Sequence, residues 1–382
     1  MSLAEALRDR LATEFAVEIA DPQPRIVHWH YRLVTRHALW LWAAEFKTGD
    51  TPGRSLSVHK LSAALFGPNV VRLLRRSQPD LVISTYPFLT YEVMRAMAAS
   101  GMQRPFVMLF SDPNGVHQAW LTERAAGATF APTRETHAQA LAAGFAPERL
   151  HLTGWPVRAQ FSRCYEPMRA ETLSRLGLCA DRFTVFLQGG GEGAARIART
   201  AENLLTVPGI QIILAVGTNK ALGEHFRKVQ NLRPLAFTKD IAPYMAAADT
   251  VMGKAGPNML FESVTLGKPF IATAYIPGQE EVNLEFIHRH ELGWGALTAA
   301  EQRELILSLA DNPSRLHSMA GSVKHYRQWN VEAGESILPL VNRLLVRAQS
   351  ASRGCMRRAS RRHGLINHSP ANPPAMHDID TH

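Results

Sequence analysis

Residues 253–262 read G-K-A-G-P-N-M-L-F-E, and V-T-L-G-K-P-F-I and Y-I-P-G-Q-E-E-V-N follow at residues 264–271 and 275–283. The apolar run before this stretch ends at Val251 and Met252, and the Gly256-Pro257 pair forces a tight turn. Met259, Leu260, Ser263 and Val264 then follow helical spacing. The pattern predicts a strand, a turn and the start of a helix. Backbone N–H groups at such a helix start have no partner within the helix, so a pyrophosphate can sit against them. Glu262, one turn in, carries a carboxylate suited to a ribose diol.

A second turn of the same kind lies upstream. F-T-V-F-L-Q (residues 183–188) has the composition of a buried strand, and Gly189-Gly190-Gly191-Glu192-Gly193 follows at once. Glycine there lets a ligand approach the backbone closely. Either loop alone is common in any α/β domain, where it serves only as a turn. Two in one domain point to a nucleotide.

Around these loops, strand-like and helix-like segments alternate. In the first half, strands are expected at residues 17–20, 81–85, 106–110, 128–131 and 150–154, with helices over residues 2–14 and through Trp40, Leu73 and Ala142. In the second half they are expected near Phe183 and at residues 210–216, 235–237, 250–252 and 269–272. Strands separated by helices indicate parallel β-α-β units, so the fold class is α/β: two Rossmann-like domains facing a cleft. The expected boundaries are 1–165, incomplete at its start, and 166–347, with the polar stretch 162–182 as linker. From Ala348 to residue 382 the chain is rich in Arg, Ser, Asn and Pro without apolar period, which predicts a flexible basic tail.

Length and composition fit this plan: 382 residues, 46% hydrophobic and 20% charged, are enough for two ordinary domains. Three scattered cysteines with no C-x-x-C suggest a reducing cytoplasm and no zinc site. The first helix carries charges throughout, unlike a signal peptide. A net charge of +9 suggests an anionic partner, which charge alone leaves open among nucleic acid, an acidic membrane surface and a phosphorylated ligand.

Several motifs, in order, resemble the GT-B glycosyltransferases that include monogalactosyldiacylglycerol synthases, bacterial processive diacylglycerol glucosyltransferases and, more distantly, the lipid II-forming GlcNAc transferase. They are S-D-P-N-G-V-H-Q-A-W (111–120), T-G-W-P-V-R-A-Q-F (153–161), F-L-Q-G-G-G-E-G (186–193), A-V-G-T-N-K (215–220), F-T-K-D-I-A-P-Y-M-A-A-A-D (237–249), K-A-G-P (254–257) and P-G-Q-E-x-x-N (277–283). The similarity extends over most of residues 1–345. It implies a UDP-sugar donor held by Gly190, Gly191 and Asn219, with Phe237 and Thr238 on the base and Lys254, Gly256, Pro257 and Asn258 on the diphosphate. Glu262 would take the ribose, and Gln279, Glu280 and Asn283 the hexose. As structural alternatives, Phe237 is a core residue and Gln279-Glu280 an exposed helix start.

The resemblance further implies inverting transfer of the hexose to a lipid, most simply diacylglycerol. No D-x-D pair stands at a strand end, so no bridging metal or other cofactor is expected, and no nucleic-acid motif is present. Members of the family begin with a strand and a G-G-G-H-type loop whose His acts as acceptor base. Here Met1 falls where that loop should have ended, which points either to a start assigned too far downstream, the favoured reading, or to a shortened, catalytically silent nucleotide-sugar binder. Asp112 and His117 remain as candidate bases, with turn-capping and structural hydrogen bonding as their plainer roles. H-W-H-Y-R-L-V-T-R-H-A-L-W-L-W (28–42) interleaves aromatics with cations, as at a membrane interface, and a buried helix packed on the sheet is its alternative. The expected location is the inner face of the cytoplasmic membrane.

Overall fold

The computed structural model describes residues 2–189 and 194–364. The first half holds β1 (Val82–Ser84), β2 (Phe106–Leu109), β3 (Ala128–Ala131) and β4 (Leu150–Leu152), parallel and in that spatial order. Its helices are α1 (Ser2–Leu11), α2 (Arg25–His37), α3 (Leu39–Gly49), α4 (Pro52–Ser77), α5 (Thr90–Ala99), α6 (Gln118–Leu121) and α7 (Arg134–Ala142).

The second half holds β5 (Phe183–Gln188), β6 (Ile210–Gly217), β7 (Leu232–Ala236), β8 (Thr250–Lys254), β9 (Phe270–Ala274) and β10 (Gly293–Gly295), all parallel. Their order is β10-β9-β8-β5-β6-β7, a doubly wound sheet. Helices α8 (Arg169–Arg175), α9 (Ala194–Leu204), α10 (Lys220–Phe226), α11 (Ala242–Ala246), α12 (Pro257–Thr265), α13 (Glu281–Arg289), α14 (Ala299–Asp311), α15 (Pro313–Gly334) and α16 (Ile337–Gly364) complete it.

The strand order fixes where a ligand belongs. β5 and β8 are neighbours although two strands separate them in sequence, so the connections leaving them run to opposite sides and open a crevice at their carboxyl ends. The turn after β8 lies at that crevice; of the loop after β5, Gly190 and Gly191 fall outside the described residues. Gly253, at the end of β8, is demanded by packing: a Cβ there would stand 2.6 Å from the Gln188 carbonyl oxygen of β5.

One apolar cluster runs through both halves. It joins Leu3, Leu7 and Leu11 of α1, Leu109 and Phe130 of the first sheet, Phe186, Phe261 and Phe286 of the second half, and Ile337, Leu340 and Val341 of α16. At its centre the Trp155 ring stacks on Phe261, centroids 4.8 Å apart and planes nearly parallel. Gly154 makes this joint possible. Its φ of +63° is a left-handed conformation, and a Cβ would meet the Asn330 carbonyl at 2.5 Å. Asn330 then brackets Trp155, accepting from its N–H at 2.6 Å and donating to its carbonyl at 3.1 Å.

The expected elements differ from these in four places. Residues 17–20 form no ladder: Val17 packs against the central cluster, but among the described residues no strand pairs with the segment. The 162–182 stretch is no free linker, because α8 buries Leu173 completely and Arg169 donates to Asp249 Oδ2 at 3.0 Å. β10 was not expected, since G-W-G is too short to show a strand period. Residues 348–364, expected in the tail, continue α16, where Arg and Ala favour the helix; 365–382 lie outside the described residues.

Candidate functional site

The turn between β8 and α12 presents an uncapped helix start. Gly256 occupies the N-cap with extended backbone (φ −77°, ψ 133°) and no side chain caps it. Pro257 takes N1, where its missing N–H costs nothing. The N–H groups of Asn258 and Met259, at N2 and N3, have no acceptor inside the helix, and both residues are half-exposed. Lys254 precedes the turn and pairs with Glu280, whose Oε2 accepts from the Ile276 N–H at 2.9 Å. Asn283, fully buried in α13, donates from Nδ2 to the Ala255 carbonyl at 2.8 Å. Residues 276–283 thus fold back over the turn, bringing Lys254, Gly256, Glu280 and Asn283 together, with Gln279 beside them. Glu280 is buried, not an exposed helix start.

Glu262 is buried one turn further along α12 and is held by the joint between halves. Arg158 donates from Nε and Nη2 to its Oε1 at 3.0 and 2.8 Å, and the Ser2 hydroxyl reaches the same oxygen at 3.1 Å. Burial pushes the carboxyl above its ordinary value, an effect that Arg158 and Ser2 only partly offset.

Phe237 and Thr238 stand apart from this cluster, on the loop after β7. Phe237 is 67% exposed, which excludes the core role open to it from sequence. The loop is braced by Gln160, whose Oε1 accepts from the N–H groups of Ile241 and Ala242 at 3.0 and 3.2 Å. Its Nε2 donates to the Lys239 carbonyl at 2.9 Å. Thr238 Oγ1 accepts from the Asp240 N–H at 3.1 Å. Asn219 caps α10, accepting from the Leu222 N–H at 3.0 Å, so its side-chain oxygen already has a structural task.

The first half meets this region through the loop after β2. Asn114 donates to the Val282 carbonyl of α13 at 3.2 Å, and a Cβ on Gly115 would stand 3.2 Å from Val282. Asp112, half-buried at the end of β2, accepts from Trp120 Nε1 at 3.0 Å through Oδ2. Burial pushes its carboxyl up to about 7; the Trp120 hydrogen bond opposes the rise and the nearby Asp50 carboxylate adds to it.

His117 reads differently. Its Nδ1 accepts from the Ala119 N–H at 3.0 Å, capping α6, and Nε2 lies 3.3 Å from the Phe46 carbonyl, to which it donates in that tautomer. Both nitrogens are engaged, and burial lowers the affinity of the ring for a second proton. It is built as a structural histidine. The same short helix is supported from below by His59, which sits between Glu92 (Nδ1 to Oε1, 3.0 Å) and the Ala119 carbonyl (Nε2, 3.0 Å), both side chains fully buried.

The aromatic-cationic stretch forms α2 and α3, and the buried-helix alternative fails for most of it. Ile26, Trp29 and Leu33 on α2, Trp40 on α3, and Val58, Leu61 and Leu65 on α4 are all exposed, Trp29 by 54% and Trp40 by 74%. Their spacing puts each set on one side of its helix. Among the described residues no helix is long and apolar enough to cross a membrane, and no group of His, Cys, Asp and Glu is arranged to hold a metal ion.

Sequence reasoning passed over Arg158, Gln160 and Trp155, which tie the candidate donor residues to the interdomain joint. The only signal was their place in T-G-W-P-V-R-A-Q-F. What each touches is set by partners 79 to 175 residues away, such as Lys239 and Asn330.

Residues 8–157 match the family described as monogalactosyldiacylglycerol (MGDG) synthase, and residues 184–320 match the glycosyltransferase family 28 C-terminal domain. Monogalactosyldiacylglycerol synthase 3, chloroplastic, of Arabidopsis thaliana is 26% identical, over 83% of this chain and 73% of its own length. The probable synthase 2 of Oryza sativa subsp. japonica is 29% identical, over 74% and 65% respectively. The Spinacia oleracea synthase is 30% identical over 59% of this chain, and the matched part spans less than half, 45%, of that relative. Among solved structures, Anabaena Alr3699/HepE in complex with UDP and glucose superposes with a TM-score of 0.51 at 16% identity, over 72% of this chain and 81% of that one. Acinetobacter baumannii MurG gives 0.51 at 15%, over 74% and 78%. At such identities the superpositions establish the fold.

Proposed function

Because the chain belongs to the GT-B glycosyltransferases, with a monogalactosyldiacylglycerol synthase domain followed by a family 28 C-terminal domain, we propose that it transfers a hexose from a UDP-sugar to a lipid acceptor, most simply diacylglycerol. The observation that carries this reading is the uncapped start of α12 at the β5–β8 crevice, with Lys254 beside it and Glu262 buried one turn on.

In this reading the diphosphate lies against the N–H groups of Asn258 and Met259. Lys254 and the helix start meet the negative charge that grows on the departing UDP. Glu262 takes the ribose, exposed Phe237 stacks on the uracil, and Gln279, Glu280 and Asn283 hold the hexose. Asp112 is the acceptor base: it stands at the carboxyl end of β2, where ligand sites of parallel sheets lie, and its carboxyl titrates near neutrality. Proton removal and displacement from the face opposite the diphosphate invert the anomeric centre. The exposed apolar faces of α2, α3 and α4, interspersed with Arg25, Arg54 and Lys60, suit the surface of an anionic membrane that holds the acceptor. In this reading the protein works at the inner face of the cytoplasmic membrane.

A second reading, a nucleotide-sugar binder without turnover, is favoured by one observation, that His117 has no free nitrogen. The test is product formation by the chain with UDP-galactose, UDP-glucose or UDP-GlcNAc and diacylglycerol-containing vesicles, with UDP release followed in parallel. Glycolipid from one donor supports transfer and names the sugar. UDP binding with neither glycolipid nor UDP release supports the second reading.

A further inference from the structure

Among the described residues, five buried side-chain polar atoms have no hydrogen-bond partner. Two stand on separate elements, Ser100 Oγ at the end of α5 and Glu135 Oε2 on α7. The other three are Trp42 Nε1, Gln279 Oε1 and Asn283 Oδ1. A buried polar atom left without a partner is destabilising, so three in one neighbourhood call for a partner that arrives later.

The neighbourhood is defined by contact. A Cβ added to Gly278 (φ +81°), the residue before Gln279, would stand 3.5 Å from the Phe46 ring and 3.8 Å from the Ala43 backbone. The strand-to-α13 turn therefore passes directly beneath α3. Trp42 adjoins Ala43 and packs between Tyr31 (centroids 5.1 Å, edge-on) and Phe46 (6.3 Å). Burial raises the Tyr31 phenol above its ordinary value, and the Glu280 carboxylate adds to the rise. While Trp29 and Trp40 are exposed, the Trp42 N–H is buried and without a partner, on the helix that lies over the turn carrying Gln279.

We infer that α3 completes the sugar subsite, with the Trp42 indole N–H donating to a hexose hydroxyl of the nucleotide sugar whose neighbouring hydroxyls are received by Gln279 Oε1 and Asn283 Oδ1. One donor and two acceptors complement a run of hydroxyls, each of which can both give and accept a hydrogen bond. The site is then shared between the two halves of the chain, and Trp42 determines specificity by selecting a sugar that offers an acceptor at that point.

The inference rests on the donor-site reading above, and the two fail separately. Binding of UDP and of UDP-galactose, UDP-glucose and UDP-GlcNAc is measured by calorimetry on the full chain and on Trp42→Phe, which keeps the ring and loses only the N–H. UDP is expected to bind both forms within about twofold, and the preferred UDP-hexose to bind the variant about three- to tenfold more weakly, as for one neutral hydrogen bond. Mono-deoxy analogues of that donor supply a readout that a packing role would not move. One of them should bind the wild type more weakly than its parent, and the variant should not distinguish the two. Unchanged hexose affinity in W42F, or equal losses for UDP and UDP-hexose, overturns the inference alone. Failure of the wild type to bind UDP overturns the donor reading and the inference with it. Should W42F not fold, the deoxy series on the wild type still decides: if every analogue binds like its parent, no hydroxyl is held and the inference falls.

Discussion

Phe237→Ala separates a binding residue from a packing residue by magnitude. Full burial of a phenylalanine side chain contributes about 1.5–3 kcal/mol. With the residue 67% exposed, the folded chain collects about a third of that, so truncation should cost ~0.5–1 kcal/mol and lower the melting temperature by only ~2 °C. Stacking of a base on an aromatic ring is worth about 1–3 kcal/mol by alanine substitution, or roughly 5- to 150-fold in Kd. Calorimetric titration with UDP and a melting curve, run on the same preparations, give both numbers. The reasoning requires the larger effect on UDP affinity. A melting temperature lowered by about 8 °C or more with UDP affinity unchanged would refute it, and would make Phe237 a packing residue despite its exposure.

Gly154→Ala should lose at least about 2 kcal/mol of stability, from the left-handed backbone and the Cβ set 2.5 Å from the Asn330 carbonyl; a melting curve matching the wild type would show that the joint can relax. If Asp112 is the base, kcat/KM should rise with pH through about 7 and level off, and Asp112→Asn should lower it about 10²- to 10⁴-fold with a flat profile. The stability sign is opposite: between its ordinary 3.8 and about 7 the folded chain keeps a proton that the unfolded chain has released. Wild type should therefore lose stability relative to Asp112→Asn as pH rises across that interval, which melting curves in a pH series would show. Trp29→Glu with Trp40→Glu should weaken sedimentation with anionic vesicles at least tenfold while leaving the melting temperature within about 2 °C, because both rings are largely open to solvent.

Local chemistry made the β8–α12 turn legible. The Gly256-Pro257 pair announces a turn and a helix start, and the structure has both, whereas only the fold shows that Gly253 is required by the close approach of β5. The alternation of buried strands likewise gave the parallel sheets. What escaped was tertiary: nothing in residues 17–20 reveals that, among the described residues, no strand pairs with them, and three residues of β10 are too few to display a period. For His117 the sequence left a base and a structural residue equally open, since only the fold brings the Phe46 carbonyl to its second nitrogen. Arg158 and Trp42 are ordinary residues until α12 and Gly278 are placed against them.

The apolar cluster that passes from α1 through Trp155 and Phe261 to α16 bears on how such chains can recombine. A crossover between two relatives at the midpoint would join sheets that each keep their own ladder yet inherit mismatched halves of a shared interior. A viable hybrid must carry α1, the Gly154-Trp155 bend, Phe261, Asn330 and α16 from the same parent, so a tolerated exchange is a cassette that leaves the bend and Phe261 in place rather than a swap of front for back.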